Sequence, residues 1–160
     1  MTESQRRIRP SAKAVVVVDD RVLVTRNRTP GDDGPDWFIF PGGGQRPGET
    51  LHDTVIREVR EETGIEVLPT LLLWVRELNV QPMPDWPFDP RDQPLEFMFA
   101  ATLVMDHGDA HEADQYQVGV EWLPVADLAT RRFFPASTVP HLGTYLATGE
   151  TGPVYLGVAG

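Results

Sequence analysis

The sequence predicts a mixed α/β (α+β) domain, and three features predict it. Short β-branched, apolar runs recur through the first half, AVVVV and VLVT among them. One segment, Leu51 to Thr63, instead repeats its apolar residues at helical spacing. Strand-like runs follow it, and helical signals return only late, near Val125 to Thr130 and over Thr138 to Ala147. Strands on both sides of one internal helix, with more helix at the end, fit helices layered on a sheet.

Each element has a local reason. Residues 1–11 read as a flexible arm, basic and without apolar periodicity. Ala14 to Val18 and Val22 to Thr25 flank Asp19-Asp20 and read as a hairpin. Asn27 to Asp36, rich in Gly, Pro and Asp, is a loop. Trp37 to Phe40 is a short buried strand that delivers Gly42-Gly43-Gly44, a flexible glycine turn. Thr50 suits the N-cap of the helix and Gly64 its C-cap. On its inner face Leu51, Val55, Ile56 and Val59 are expected to bury, while Asp53 and Arg60 point to water.

Ile65 to Val80 holds one or two strands, with Trp74 in the core. Gln81 to Pro94 is an extended loop with five prolines, Trp86 and Phe88. Leu95 to Met105 and Val118 to Leu123 are strands separated by an acidic loop, His107 to Gln117. PVYLGV near the end is a further strand or a surface segment.

Composition bounds the function. At 160 residues the chain is read as a single domain, 1–160, large enough for a real core. The absence of cysteine excludes disulfides, zinc-thiolate sites and thiol nucleophiles. A net charge of −10 argues against a nucleic acid polymer as partner. No apolar run reaches membrane-spanning length, so the sequence reads as cytoplasmic, with a homodimer possible. Thirteen of the fourteen basic residues are arginine, and Lys13 is the only lysine.

The densest chemistry lies in GGGQRPGETLHDTVIREVREETGI, residues 42–65. At about 100° per residue, Glu58, Glu61 and Glu62 share one arc of the helix. Three carboxylates so close repel unless a cation sits among them. Oxygen donors of this kind suit Mg²⁺ or Mn²⁺, which keep waters and bind substrate phosphates. Arg57, four residues before Glu61, can hold that carboxylate. Glycines let the backbone approach a phosphate closely. Taken alone, E-x-x-E-E is an ordinary solvated face and three glycines an ordinary turn; their joint spacing is what carries information.

Written with U for a bulky aliphatic, residues 43–65 read G-x5-E-x7-R-E-U-x-E-E-x-G-U, filled at every fixed position. This resembles the box of the Nudix hydrolases, which cleave diphosphate linkages with divalent metal. WFIFPGGG before it and EWLPVADL after it are generic to the same family. The resemblance, over about residues 12–147, implies an α/β/α sandwich around a mixed β-sheet. It implies a pyrophosphohydrolase using Mg²⁺ or Mn²⁺ on a small nucleotide or nucleoside diphosphate derivative. Carried over by position, Glu58, Glu61 and Glu62 become metal ligands, joined by the Gly42 carbonyl and by either Glu112 or Asp114 of the acidic loop.

Glu58 is the first choice for general base, with Arg57 beside it, and Glu49 and Gly64 hold the loop and helix end. Gly43, Gly44, Arg26 and Trp86 are the candidate substrate contacts. The family usually has an acid where Arg46 stands, which bears on specificity. The alternative reading is a catalytically silent domain of the same kind that senses a nucleotide or binds a protein.

Overall fold

A computed structural model describes residues 7–78, 91–108 and 112–158. Trp86, Phe88 and most of the Gln81 to Pro94 loop lie outside the described residues. The strands are β1 (Arg7–Val15), β2 (Val17–Val18), β3 (Arg21–Asn27), β4 (Trp37–Ile39) and β5 (Gly42–Gly44). Helix α1 (Leu51–Thr63) comes next, then β6 (Ile65–Glu77), β7 (Asp92–Asp106), β8 (Gln117–Pro124) and β9 (Phe133–Phe134). Helix α2 (Val139–Thr148) and β10 (Tyr155–Val158) close the chain's order.

The strands form two sheets, β10-β6-β7-β1-β5 and β2-β3-β4-β9 with β8 on the other side of β3. Both mix directions: β1 with β7, β6 with β10 and β4 with β9 run parallel, and the other pairs antiparallel. Helices cover both faces. Ala12, Ala14, Val16 and Leu23 pack with Val55 and Val59 of α1. Val15, Val22 and Val24 point the opposite way, towards Trp74, Leu128 and Leu142 of α2. The alternation along β1 and β3 therefore serves two cores. Val55 and Val59 are fully buried, each worth about 1.5 to 3 kcal/mol of transfer free energy. The expected α/β/α sandwich is present, its strands divided between two sheets.

The hairpin turn lies at Asp19 and Asp20, with φ of 50° and 58°. Two positive φ values match the twist of paired strands, and aspartate tolerates that region better than most residues.

Several expectations need correction. The arm becomes strand β1 from Arg7, because it pairs in parallel with β7 and Arg7 meets Asp92 across the pair. For the same reason β7 begins at Asp92, inside the expected loop. The three glycines are not a free turn but strand β5, paired with β1. Ile56 is 36% exposed; the inner face of α1 runs instead through Thr54, Val55, Val59, Glu62 and Thr63. The segment Val125 to Thr130 is a 3-10 helix. No helix among the described residues is long and apolar enough to cross a membrane.

Candidate active site

The site begins with a strand that only glycine can make. Gly42 has φ of 141°, and a Cβ there would lie 2.1 Å from the carbonyl oxygen of Ala12. At Gly43 an added Cβ would meet the Glu58 carboxylate at 2.6 Å. The chain then turns through Gly48 into α1. Thr50 and Asp53 cap that helix reciprocally: the Thr50 hydroxyl accepts from the Asp53 N–H, and the Asp53 carboxylate accepts from the Thr50 N–H. Gly64, with φ of 73°, ends the helix, its N–H donating to the Arg60 carbonyl at 3.0 Å.

Arg57 ties loop to helix. Its Nε and Nη2 donate to the two oxygens of Glu49, a bidentate pair. Its Nη1 donates to Glu58 at 2.6 Å and to Glu61 at 3.3 Å, and Nη2 also reaches the Gly44 carbonyl at 3.1 Å. The expected Arg57–Glu61 contact exists, yet Glu49 is the principal partner. The Arg57 guanidinium, with the Arg46 N–H and the Thr54 hydroxyl, draws the Glu49 carboxyl down to about 2. Burial opposes that shift and loses. Arg57 is in turn held firmly charged, its pKa raised chiefly by hydrogen bonding to Glu49.

Glu62 behaves in the opposite way. It is 8% exposed and accepts the Gly42 N–H at 2.9 Å. Burial pushes its carboxyl up to about 7, and the charges of Glu58 and Asp114 push the same way. The Lys13 charge and the Gly42 hydrogen bond resist. Lys13 comes from β1, opposite Gly42 in register, and its Nζ donates to the Gly42 carbonyl at 2.9 Å. Nothing in its local sequence marked this lysine; the strand pairing brings it here.

These groups share one cavity of about 790 Å³. Gly42, Gly43, Gly44, Glu58, Glu61 and Glu62 line it, with Arg46, Glu112 and Asp114. The acidic loop is anchored there by the Glu112 N–H on the Glu61 carbonyl and by Gln117 Nε2 on the Glu62 carbonyl. Arg46 stands 3.8 Å from Glu61. The sheet contributes Arg9, Ser11, Arg76, Asp92 and Glu96 to the same lining, none of which the sequence motif indicates; Ser11 is the register partner of Gly44, and the Arg9 guanidinium lies against that glycine.

Arg26 is not among the lining residues; it pairs with Glu121 at 3.0 Å and with Asp36, while Thr25 and Asn27 on either side of it face the cavity. One step along a strand reverses the facing. Trp86 lies outside the described residues.

The donor chemistry suits a hard divalent cation: three carboxylates, the buried Glu62 among them and only partly offset by Lys13, and one backbone carbonyl. Among the described residues, however, no three acidic or histidine side chains converge tightly enough to hold an ion unaided. Arg57 and Lys13 occupy Glu58, Glu61 and the Gly42 carbonyl instead. Magnesium sites commonly use one or two carboxylates and take remaining ligands from water and substrate phosphate, which fits this set.

Residues 7–142 match the NUDIX domain family model. Human diphosphoinositol polyphosphate phosphohydrolase 3-alpha is 30% identical over 111 residues, 68% of this chain and 57% of that protein. The uncharacterized Nudix hydrolase YvcI of Bacillus subtilis (strain 168) is 43% identical over 54 residues. That match covers 34% of this chain and 31% of YvcI, so the chain corresponds to only part of these relatives' length. The fold is that of a NUDIX hydrolase from Nitrosomonas europaea, with a TM-score of 0.69, 21% identity and coverage of 88% and 90% of the two chains.

Proposed function

The chain belongs to the NUDIX family, and from that premise we propose that it hydrolyses a diphosphate linkage in a nucleotide or nucleoside diphosphate derivative, assisted by Mg²⁺ or Mn²⁺. The observation that supports this most is the shared cavity, where a glycine strand and Glu58, Glu61 and Glu62 contribute to one lining and Gly43 lies against the Glu58 carboxylate. Glu58, Glu61, Glu62 and the Gly42 carbonyl are assigned as the cation's protein ligands. A bound divalent cation would neutralise charge on the diphosphate and make the attacking water more acidic.

Glu58 is assigned the water's proton, as a carboxylate lining the same cavity. Asp114 is the better of the two loop candidates for a further acid, because its charge is felt at Glu62. Arg57 positions: it fixes Glu49, Glu58 and the Gly44 carbonyl relative to one another. Gly43 and Gly44 let the Glu58 carboxylate and the Arg9 guanidinium close directly over the strand, and Lys13 and Arg46 supply local positive charge in a chain of net charge −10.

The test is a panel of nucleoside diphosphate sugars, nucleoside triphosphates and dinucleoside polyphosphates, incubated with Mg²⁺ or Mn²⁺ and read for phosphate and nucleotide products. Cleavage of at least one phosphoric anhydride, abolished by chelator, is expected. Tight nucleotide binding with no cleavage in either metal would reject hydrolysis in favour of a sensing domain.

A further inference from the structure

We infer that a polar row on the cavity floor, Ser11, Glu96 and Arg76, reads the group attached to the diphosphate, and that it selects a neutral group offering a hydrogen-bond donor to Glu96 beside a group that can pair with the Ser11 hydroxyl. The row rests on strand register. Ser11 pairs with Glu96 between β1 and β7, and Glu96 pairs with Arg76 between β7 and β6. Register partners on neighbouring strands lie about 5 Å apart, with side chains on one face. All three line the cavity that holds the Glu58–Glu62 carboxylates. Lys13 follows Ser11 by two residues along β1, about 7 Å away. That interval suits a sugar or base whose diphosphate lies at the Lys13 end, so the inference builds on the hydrolytic reading above.

Burial and hydrogen bonding show the row to be built for something outside the protein. Ser11 is 8% exposed, and its Oγ has no hydrogen-bond partner. An unpaired buried hydroxyl costs about 1 to 3 kcal/mol, so folding gains nothing from it. Glu96 accepts from the Arg76 Nε through Oε2, with both side chains nearly enclosed at 13% and 7% exposure. Among the described residues, no hydrogen bond reaches its other oxygen.

The floor thus presents Glu96 Oε1, which can only accept, beside Ser11 Oγ, a hydroxyl that can accept or donate. The carboxylate oxygen requires a donor in the ligand, and Arg76 already holds its partner oxygen. A sugar diol and the N–H edge of a nucleobase both offer that donor, and each also carries a lone pair for the Ser11 hydroxyl, whereas a further phosphate group offers Glu96 no donor.

The experiment measures kcat and KM for wild type, Ser11→Ala and Glu96→Gln on nucleoside triphosphates that differ by one donor. GTP against ITP and ATP against purine riboside triphosphate test the base edge. Each ribonucleotide against its 2′-deoxy form tests the diol. Binding of the corresponding β,γ-imido analogues in chelator is measured by calorimetry, and melting temperatures are recorded alongside.

Wild type should discriminate at least one pair by about tenfold, the size of one hydrogen bond to a charged acceptor. Both variants should shrink that ratio to about twofold, chiefly through KM, and the affected pair names the source of the donors. Ser11→Ala should melt no lower than wild type. Discrimination that survives both variants, or is absent from wild type, overturns the inference. So does a Ser11→Ala variant that melts lower and binds every analogue equally weakly, which is the mark of a structural role. Binding discrimination lost in the variants, in a protein that cleaves nothing with metal, would support the row while rejecting hydrolysis.

Discussion

Of the groups lining the cavity, Glu58, Glu61 and Glu62 rise from little more than one turn of α1 and face glycines just upstream in the chain. Ser11, Arg76 and Glu96 arrive instead on three different strands and meet only because β1, β7 and β6 pair in one register. The helix group depends on local sequence and helix geometry. The sheet group depends on tertiary pairing and would be lost by a one-residue slip. The two groups also differ in charge balance. The helix group sets Glu49, Glu58, Glu61 and Glu62 against Arg57, Lys13 and Arg46, and Glu62, pushed up mainly by burial, also feels the charges of Glu58 and Asp114. On the floor, Arg76 offsets Glu96, and Arg7 and Arg9 offset Asp92. An unbalanced group suits a cation and reaction; a balanced one suits recognition.

The sharpest way to break this division is Glu62→Gln. With one anionic ligand gone, kcat/KM for the preferred substrate should fall about a thousandfold, roughly 4 kcal/mol of transition-state stabilisation. Circular dichroism should remain that of wild type. Turnover within a few fold of wild type at limiting Mg²⁺ would remove Glu62 from the site.

Next in size is Arg76→Met, which strips Glu96 of its cation in an enclosed place. A destabilisation of about 3 kcal/mol is expected in urea unfolding, without any change in metal requirement. A variant as stable as wild type would show that the floor is not charge-balanced by this pair.

Glu49→Gln should cost less, about 2 kcal/mol, since the neutral amide leaves Arg57 without its bidentate carboxylate. The pH dependence gives this prediction a sign. Glu49 sits at about 2, below its ordinary 4.5, so its contribution is complete above about pH 5 and is lost as pH falls towards 2. The stability gap between wild type and Glu49→Gln should therefore narrow on acidification through that window. A gap constant from pH 6 to pH 2 would contradict the Arg57–Glu49 assignment.

The smallest effect is the metal's own. Saturating Mg²⁺ against chelator should raise the melting temperature by a few degrees, about 1 to 2 kcal/mol for a chain of this size. Glu61→Gln/Glu62→Gln should lose most of that gain. Equal shifts would locate the cation elsewhere.

How much could be read in advance follows the same division. Helix α1 occupies Leu51 to Thr63 as its caps predict, because Thr50, Asp53 and Gly64 fix both ends through neighbours in sequence. The hairpin at Asp19-Asp20 is equally local. Strand partners are not. Arg7 to Ser11 looked like a solvated arm until Asp92 supplied the opposite charge from far along the chain. Lys13, between Ala12 and Ala14, and Ser11, between Pro10 and Ala12, carried no signal, since an isolated polar residue among small neighbours does not tell which way it faces. Arg26 was misplaced by a single step of alternation, and Ile56 by about one helical position.

Strand β5 stands at the end of its sheet, where an unpaired backbone would invite a strand from another molecule. Among the described residues, no strand covers that flank; side chains do. Glu62 takes the Gly42 N–H, Lys13 the Gly42 carbonyl and Arg57 the Gly44 carbonyl. A Cβ-free edge of three glycines has no bulk or charge of its own with which to discourage docking. The residues assigned to the reaction thus act as gatekeepers against self-association. Variants that neutralise several of them at once should be lost first to aggregation during refolding, before any loss of rate is measured.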